Sequence, residues 1–182
     1  MPTVFTHAAV GLGLAAIAPF PRRPAAFYAV SAAVAVMPDA DVVAFALGAP
    51  YGSVWAHRGV SHSLLAAVAI GAVTALPLAR VMRVAWLPLA AFLALATASH
   101  GVLDAMTNGG PGIAFLAPFD DARHFLPWRP VEVSPLGRRF FSARGVRVLL
   151  SELQWVWLPA GLVVALARLA RPGRDRPRAR LE

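Results

Sequence analysis

The chain has no cysteine and no lysine, and all 17 of its basic residues are arginine. The first absence excludes disulfides, iron–sulfur clusters and thiolate zinc sites, so any metal must be held by histidine and carboxylate. The second points to a GC-rich bacterial genome. Charge is scarce as well: 14% of the 182 residues are charged while 58% are hydrophobic, with a mean hydropathy of +0.63. That is too little polar surface for a soluble domain of this size, and the chain reads as a membrane protein. No positively charged leader precedes the first apolar stretch, and no small-residue cleavage site follows it, so that stretch is expected to remain as a membrane helix. The formal net charge of +8 does not imply nucleic acid as a partner, because the arginines sit mainly between and after apolar segments.

Apolar segments fill most of what remains. A membrane-spanning helix needs about 20 mostly apolar residues, and five stretches approach this: 4–20, 25–47, 61–79, 84–107 and 148–169. Pro38 should end or kink the second. The expected fold is therefore all-α, a polytopic bundle of about five transmembrane helices in one integral-membrane domain spanning 1–182. Arg22 and Arg23, Arg80 and Arg83, and the basic tail from Arg168 through 170–182 follow alternate segments. By the positive-inside rule these connections are cytoplasmic, which leaves the polar segment 108–147 extracytoplasmic.

Charged and polar groups inside membrane segments are costly and mark function by default. On this map His7, Asp39, Asp41, His57, His62, His100 and Asp104 come from four segments yet fall at one depth on the outer side. His100 and Asp104 are four apart, so on a helix they share a face and can either share an ion or satisfy each other. Asp39 and Asp41 flank Ala40 after a proline, suiting an irregular turn that feeds two carboxylates into one site, or a solvated helix end. His57-Arg58-Gly59-Val60-Ser61-His62-Ser63 places two imidazoles and a guanidinium ahead of an apolar run, with Ser61 or Ser63 as a candidate N-cap. Imidazole and carboxylate together suit a divalent metal, zinc first, with manganese or iron as alternatives, and seven donors exceed what one tetrahedral ion uses. One or two ions are expected. Arg58 is suited to an oxyanion, and Asp41 and His62 are the candidates for general base. His124, with Asp120 and Asp121, reads as a solvated loop.

Four short motifs in this order are recognisable: Thr6-His7, Met37-Pro38-Asp39-Ala40-Asp41, the His57–Ser63 run, and Ser99-His100-Gly101-Val102-Leu103-Asp104. The chain resembles the YdjM-type family of membrane-bound, metal-dependent hydrolases, over essentially its whole length. The resemblance implies a multi-pass protein of the bacterial inner membrane, with His7, Asp39, Asp41, His57, His62, His100 and Asp104 as metal-binding and catalytic positions. Its partners would be membrane lipids and a small-molecule or lipid-linked substrate such as a phosphoester. Two other classes remain open. A metal-ion or proton-coupled transporter also uses intramembrane His and Asp, but needs polar groups that continue to the cytoplasmic side, where these helices carry mainly Ala, Val, Leu, Ile, Phe and Gly. A scaffold could use two or three such residues as glue between helices.

Overall fold

Proline punctuates the first third of the chain. The structure, a computed structural model, describes residues 1–170 apart from 49, 51, 52 and 136, so the tail at 171–182 lies outside the described residues. Helix α1, Val4–Ile17, stops at Ala18, which is held extended at ψ 145° ahead of Pro19. Helix α2, Ala25–Val36, starts directly after Pro24. At Pro38 it tightens into a 3-10 turn, Met37–Asp41, before one further turn of helix, α3, Val42–Ala46. The expected break is therefore a local tightening in a continuous apolar span, Ala25–Ala44.

Two of the remaining helices form a tight pair. Ser63 caps α4, Leu64–Met82, by accepting from the Ala66 N–H at 3.1 Å, so this helix starts three residues later than the apolar run suggests. It is joined by a short turn to α5, Trp86–Ala105. Gly71 makes the pairing possible: a Cβ there would stand 2.4 Å from the Ala94 backbone nitrogen. Gly11 does the same for α1 on α2, where a Cβ would stand 2.5 Å from the Ser31 carbonyl oxygen. Small residues that admit close backbones are the usual means of packing helices in lipid, where burial of apolar surface gives little drive.

The last span is longer than expected. Helix α6, Ala143–Glu152, runs through a π turn, Leu153–Trp157, into α7, Leu158–Leu169. Pro159 has no N–H to return to the preceding turn, and the wider π turn lies where that bond is missing. Ala25–Ala44, Leu64–Met82, Trp86–Ala105 and Ala143–Leu169 are long and apolar enough to cross a membrane. The 14 residues of α1 form a shorter apolar helix. The protein is an all-helical membrane bundle with α5 at its centre.

The two ends of the bundle differ in character. At the end bearing Arg22, Arg23, Arg80 and Arg83, Phe20, Phe27 and Phe92 pack edge-on or tilted at centroid distances of 5.5, 5.7 and 5.1 Å. Leu78, Met82, Leu89 and Leu93 close around them. At the opposite end, residues 106–142 fold back over the helix termini. They are held by backbone bridges between Thr107 and Val131 and between Ile113 and His124, and by Leu64 N–H donating to the Phe115 carbonyl.

Candidate metal centre

Four helix ends and one loop deliver the site. His7 sits in the first turns of α1, Asp39 and Asp41 in the 3-10 turn after α2, His62 in a second 3-10 turn ahead of α4, and His100 and Asp104 in the last turns of α5. His57 and Arg58 come from the loop before α4. The side chains of His7, His62, His100 and Asp104 are sealed from solvent, whereas those of His57 and Asp39 retain 12% and 9% of their exposure. Any opening to the site lies on the His57–Asp39 side.

The tautomers follow from the acceptors. His100 Nδ1 stands 2.8 Å from the Ala35 carbonyl oxygen, which can only accept, so Nδ1 carries the proton and Nε2 is left as a donor atom for a cation. His62 Nδ1 faces Asp41 Oδ2 at 3.1 Å and Ser61 Oγ at 2.9 Å. Ser61 itself donates to Asp41, so both neighbours accept from His62 and its Nε2 is likewise directed inward. The two Nε2 atoms meet at 3.1 Å. Two lone pairs at that distance repel each other unless a positive charge, proton or metal, lies between or beside them.

The carboxylates point the same way. Asp39 Oδ1 is 3.3 Å from His100 Nε2 and 3.8 Å from His62 Nε2, and Asp104 Oδ1 is 3.6 Å from His7 Nε2. Both Asp39 oxygens, Asp104 Oδ1 and both His7 ring nitrogens are buried without a hydrogen-bond partner. Buried polar atoms are nearly always satisfied, so these orphaned atoms on neighbouring Asp39, Asp104 and His7 form a donor set that fits a cation. Two groups of ligand atoms lie within 4.8 Å of one another, Asp39, His57, His62 and Asp104 in one and His7, Asp39 and His100 in the other. Each could hold a metal ion, and Asp39 belongs to both.

Two residues stand elsewhere than the sequence suggests. Asp41 lies behind the donor set and outside both groups, accepting from His57 Nδ1 at 2.8 Å, from Ser61 Oγ at 2.5 Å and from the Arg58 backbone N–H at 3.3 Å. A carboxylate so placed is positioned to orient both imidazoles. Arg58, expected to meet an oxyanion, is 1% exposed and already committed. It donates through Nε to Asp104 Oδ2 at 3.1 Å, through Nη1 to the Gly109 carbonyl at 2.8 Å and through Nη2 to Thr107 Oγ1 at 3.0 Å. Gly110 leaves room for it, since at φ +92° a Cβ there would sit 2.4 Å from Nη1. His124, Asp120 and Asp121 are exposed and stay out of the site.

Electrostatics bear on the state of His62, which lies in the turn ahead of the α4 span. Burial alone would push His62 down, but the facing Asp39 and Asp41 carboxylates, with the Asp104 charge, outweigh it and raise its pKa to about 9. Without a metal, His62 therefore carries the positive charge that separates the facing Nε2 atoms.

Sequence reasoning missed three contributors. Glu152, fully buried in α6, accepts from the Thr3 backbone N–H and from Thr3 and Thr6 Oγ1, tying the last span to the turn that carries His7. As an acid in an apolar run it bears the same signal as Asp104. Thr107 helps to hold Arg58, and Arg123 braces the loop by donating to the Arg58 and Ser53 carbonyls at 3.1 and 3.0 Å. Both are tertiary contacts with no local signature.

Comparison with known proteins places the chain among inner membrane proteins. Residues 1–172 match the family described as YdjM inner membrane protein. The chain is 39% identical over 171 residues to the inner membrane protein YbcI of Escherichia coli (strain K12), covering 91% of this chain and 96% of that one. No solved structure matches it.

Proposed function

The chain belongs to the YdjM inner membrane protein family, and from that premise we propose that it is a metal-dependent hydrolase working at the extracytoplasmic membrane surface on a phosphoester or lipid-linked substrate. The observation that carries the reading is the meeting of the His62 and His100 Nε2 atoms beside orphaned oxygens of Asp39 and Asp104. Glue between helices would pair these atoms with one another and leave none over.

In this reading Asp39, His57, His62 and Asp104 would hold one ion and His7, Asp39 and His100 a second, with Asp39 common to both groups. Nitrogen and oxygen donors without sulfur suit zinc, manganese or iron. A divalent ion in such a site supplies Lewis acidity, activating water and drawing off charge from a phosphoryl or carbonyl oxygen. Asp41 acts through His57 and His62, fixing the tautomers that aim their other nitrogens. Arg58 neutralises and orients Asp104. The His57–Asp39 side admits substrate, and the loop bearing Gly109 and Gly110 shields the opposite flank.

The alternative of a metal-ion or proton-coupled transporter needs a polar path through the bundle. Phe20, Phe27 and Phe92 fill the far end, and the hydroxyls of Ser31, Thr74 and Thr97 are turned back onto carbonyls of their own helices. This weighs against transport. Elemental analysis of the detergent-purified protein tests the proposal against His100→Ala and Asp39→Ala variants of equal thermal stability. One or two equivalents of transition metal, lost in both variants, are expected, followed by hydrolysis in a phosphoester screen. No metal in any preparation, and no uptake of added zinc or manganese, would sink the reading.

A further inference from the structure

The segment leading into the last span carries charge that the metal centre does not use. Arg138, Arg139, Arg144 and Arg147 are all exposed, and no acidic or carbonyl partner holds their guanidinium groups among the described residues. Other arginines at this end behave differently: Arg58 and Arg123 are hydrogen-bonded, and Arg129 lies over the Phe125 ring at 4.7 Å. Between the unpartnered arginines, Phe141 is 88% exposed and Val146 57%.

Helix length bears on the depth of this segment. At about 1.5 Å per residue the 27 residues of Ala143–Leu169 extend about 40 Å, whereas the hydrocarbon core is about 30 Å thick. In a span near the membrane normal, the surplus of about 10 Å, roughly two turns of helix, stands among the headgroups. With Arg168 at one end and Arg144 and Arg147 at the other, the surplus falls in α6. The faces of α6 agree, at about 100° per residue. Gly145, Val148 and Glu152 face the protein. Arg144, Arg147 and Ser151 form one flank, and the exposed Val146, Leu149, Leu150 and Leu153 form the other. A helix with separate protein, cationic and lipid-facing stripes suits the boundary between headgroups and acyl chains.

We propose that Arg138, Arg139, Arg144 and Arg147, with Phe141 and Val146 inserted beneath them, form a docking surface for the phosphate headgroups of anionic phospholipids in the surrounding leaflet. Four cations with no counter-charge held to them among the described residues, placed at headgroup level by the span they lead into, are complementary to such lipids. Arginine forms forked hydrogen bonds to phosphate oxygens, so the surface distinguishes anionic from zwitterionic headgroups by charge and holds them by geometry. This inference does not depend on the hydrolase reading.

The absence of cysteine allows a local test. Ser142→Cys carries a fluorophore, and the full chain is reconstituted in phosphatidylcholine bilayers containing headgroup-quencher-labelled phosphatidylglycerol or, separately, equally labelled phosphatidylcholine. Quenching by the anionic lipid is expected to exceed that by the zwitterionic one by about fivefold or more, the preference that one arginine near an anionic surface provides. The preference should shrink as salt is raised and vanish in a variant carrying R138Q, R139Q, R144Q and R147Q together. Equal quenching by the two lipids in the otherwise unaltered protein would overturn the proposal, as would a preference that persists at high salt or in the arginine variant. Should that variant not fold, the salt titration of the labelled chain alone decides.

Discussion

Asp39 and Asp41 are two residues apart and do different work, and the turn between them explains why. A 3-10 turn advances about 120° per residue, so their side chains leave the backbone about 240° apart. Asp39 enters the bundle toward His100, and Asp41 turns out toward His57 and the loop. Asp39→Asn should therefore abolish metal retention. Asp41→Asn should keep the stoichiometry but weaken affinity about 10–100-fold, the usual effect of removing a carboxylate that orients a ligand imidazole, as read by competition with a chelator. Protons compete for the same atoms. The His62 pKa is raised from 6.5 to about 9, so in metal-free protein its charge stabilises the fold fully below pH 6.5, and that contribution is lost as pH rises through about 9. Metal binding has the opposite sign, because His62 must release a proton before its Nε2 can bind. Apparent affinity should climb about tenfold per pH unit between neutrality and pH 9 and flatten above. A flat profile would remove His62 from the donor set.

Helices were legible in the sequence as runs of apolar residues, and so was the break at Pro38, but α1 stops at Ile17 ahead of Pro19, short of the expected 4–20. The beginning of the last helix was not legible, because Arg144 and Arg147 in its first turns read as loop until the span they lead into is seen. The site was legible as a set of ionisable residues at one end, since membrane segments tolerate few of them. The division of labour within it was not. Arg58 stands at φ +67° in a loop whose shape depends on Thr107 and Gly110, and that dependence is tertiary. Glu152 was overlooked as an isolated acid, yet it anchors one helix to another. Glu152→Ala should cost about 1–3 kcal/mol for each Thr3 or Thr6 donor left unsatisfied, lowering the thermal transition in detergent. Loosening the turn that carries His7, it should also reduce metal content, whereas Glu152→Gln, which keeps an acceptor, should restore much of both.

At the scale of the whole molecule, charge and chemistry divide between the two ends. Arg22, Arg23, Arg80 and Arg83 mark one end around a dry aromatic core, and the His/Asp cluster occupies the other under the cap of residues 106–142. The positive-inside rule assigns the first end to the cytoplasm, yet the cap carries arginines of its own, and long segments escape the rule. If Arg138, Arg139, Arg144 and Arg147 bind headgroups, they are explained by a local function, and the arginines of the short connections are left to set orientation. A chain without cysteine can be tested for this directly. Asp121→Cys in the cap and Arg22→Cys between α1 and α2 both replace exposed residues. With a membrane-impermeant maleimide added to intact spheroplasts, the cysteine at 121 should label at once and the one at 22 only after permeabilisation. The reverse pattern would turn the bundle over and place the metal centre at the cytoplasmic surface, where its substrate would have to be sought among phosphoesters inside the cell.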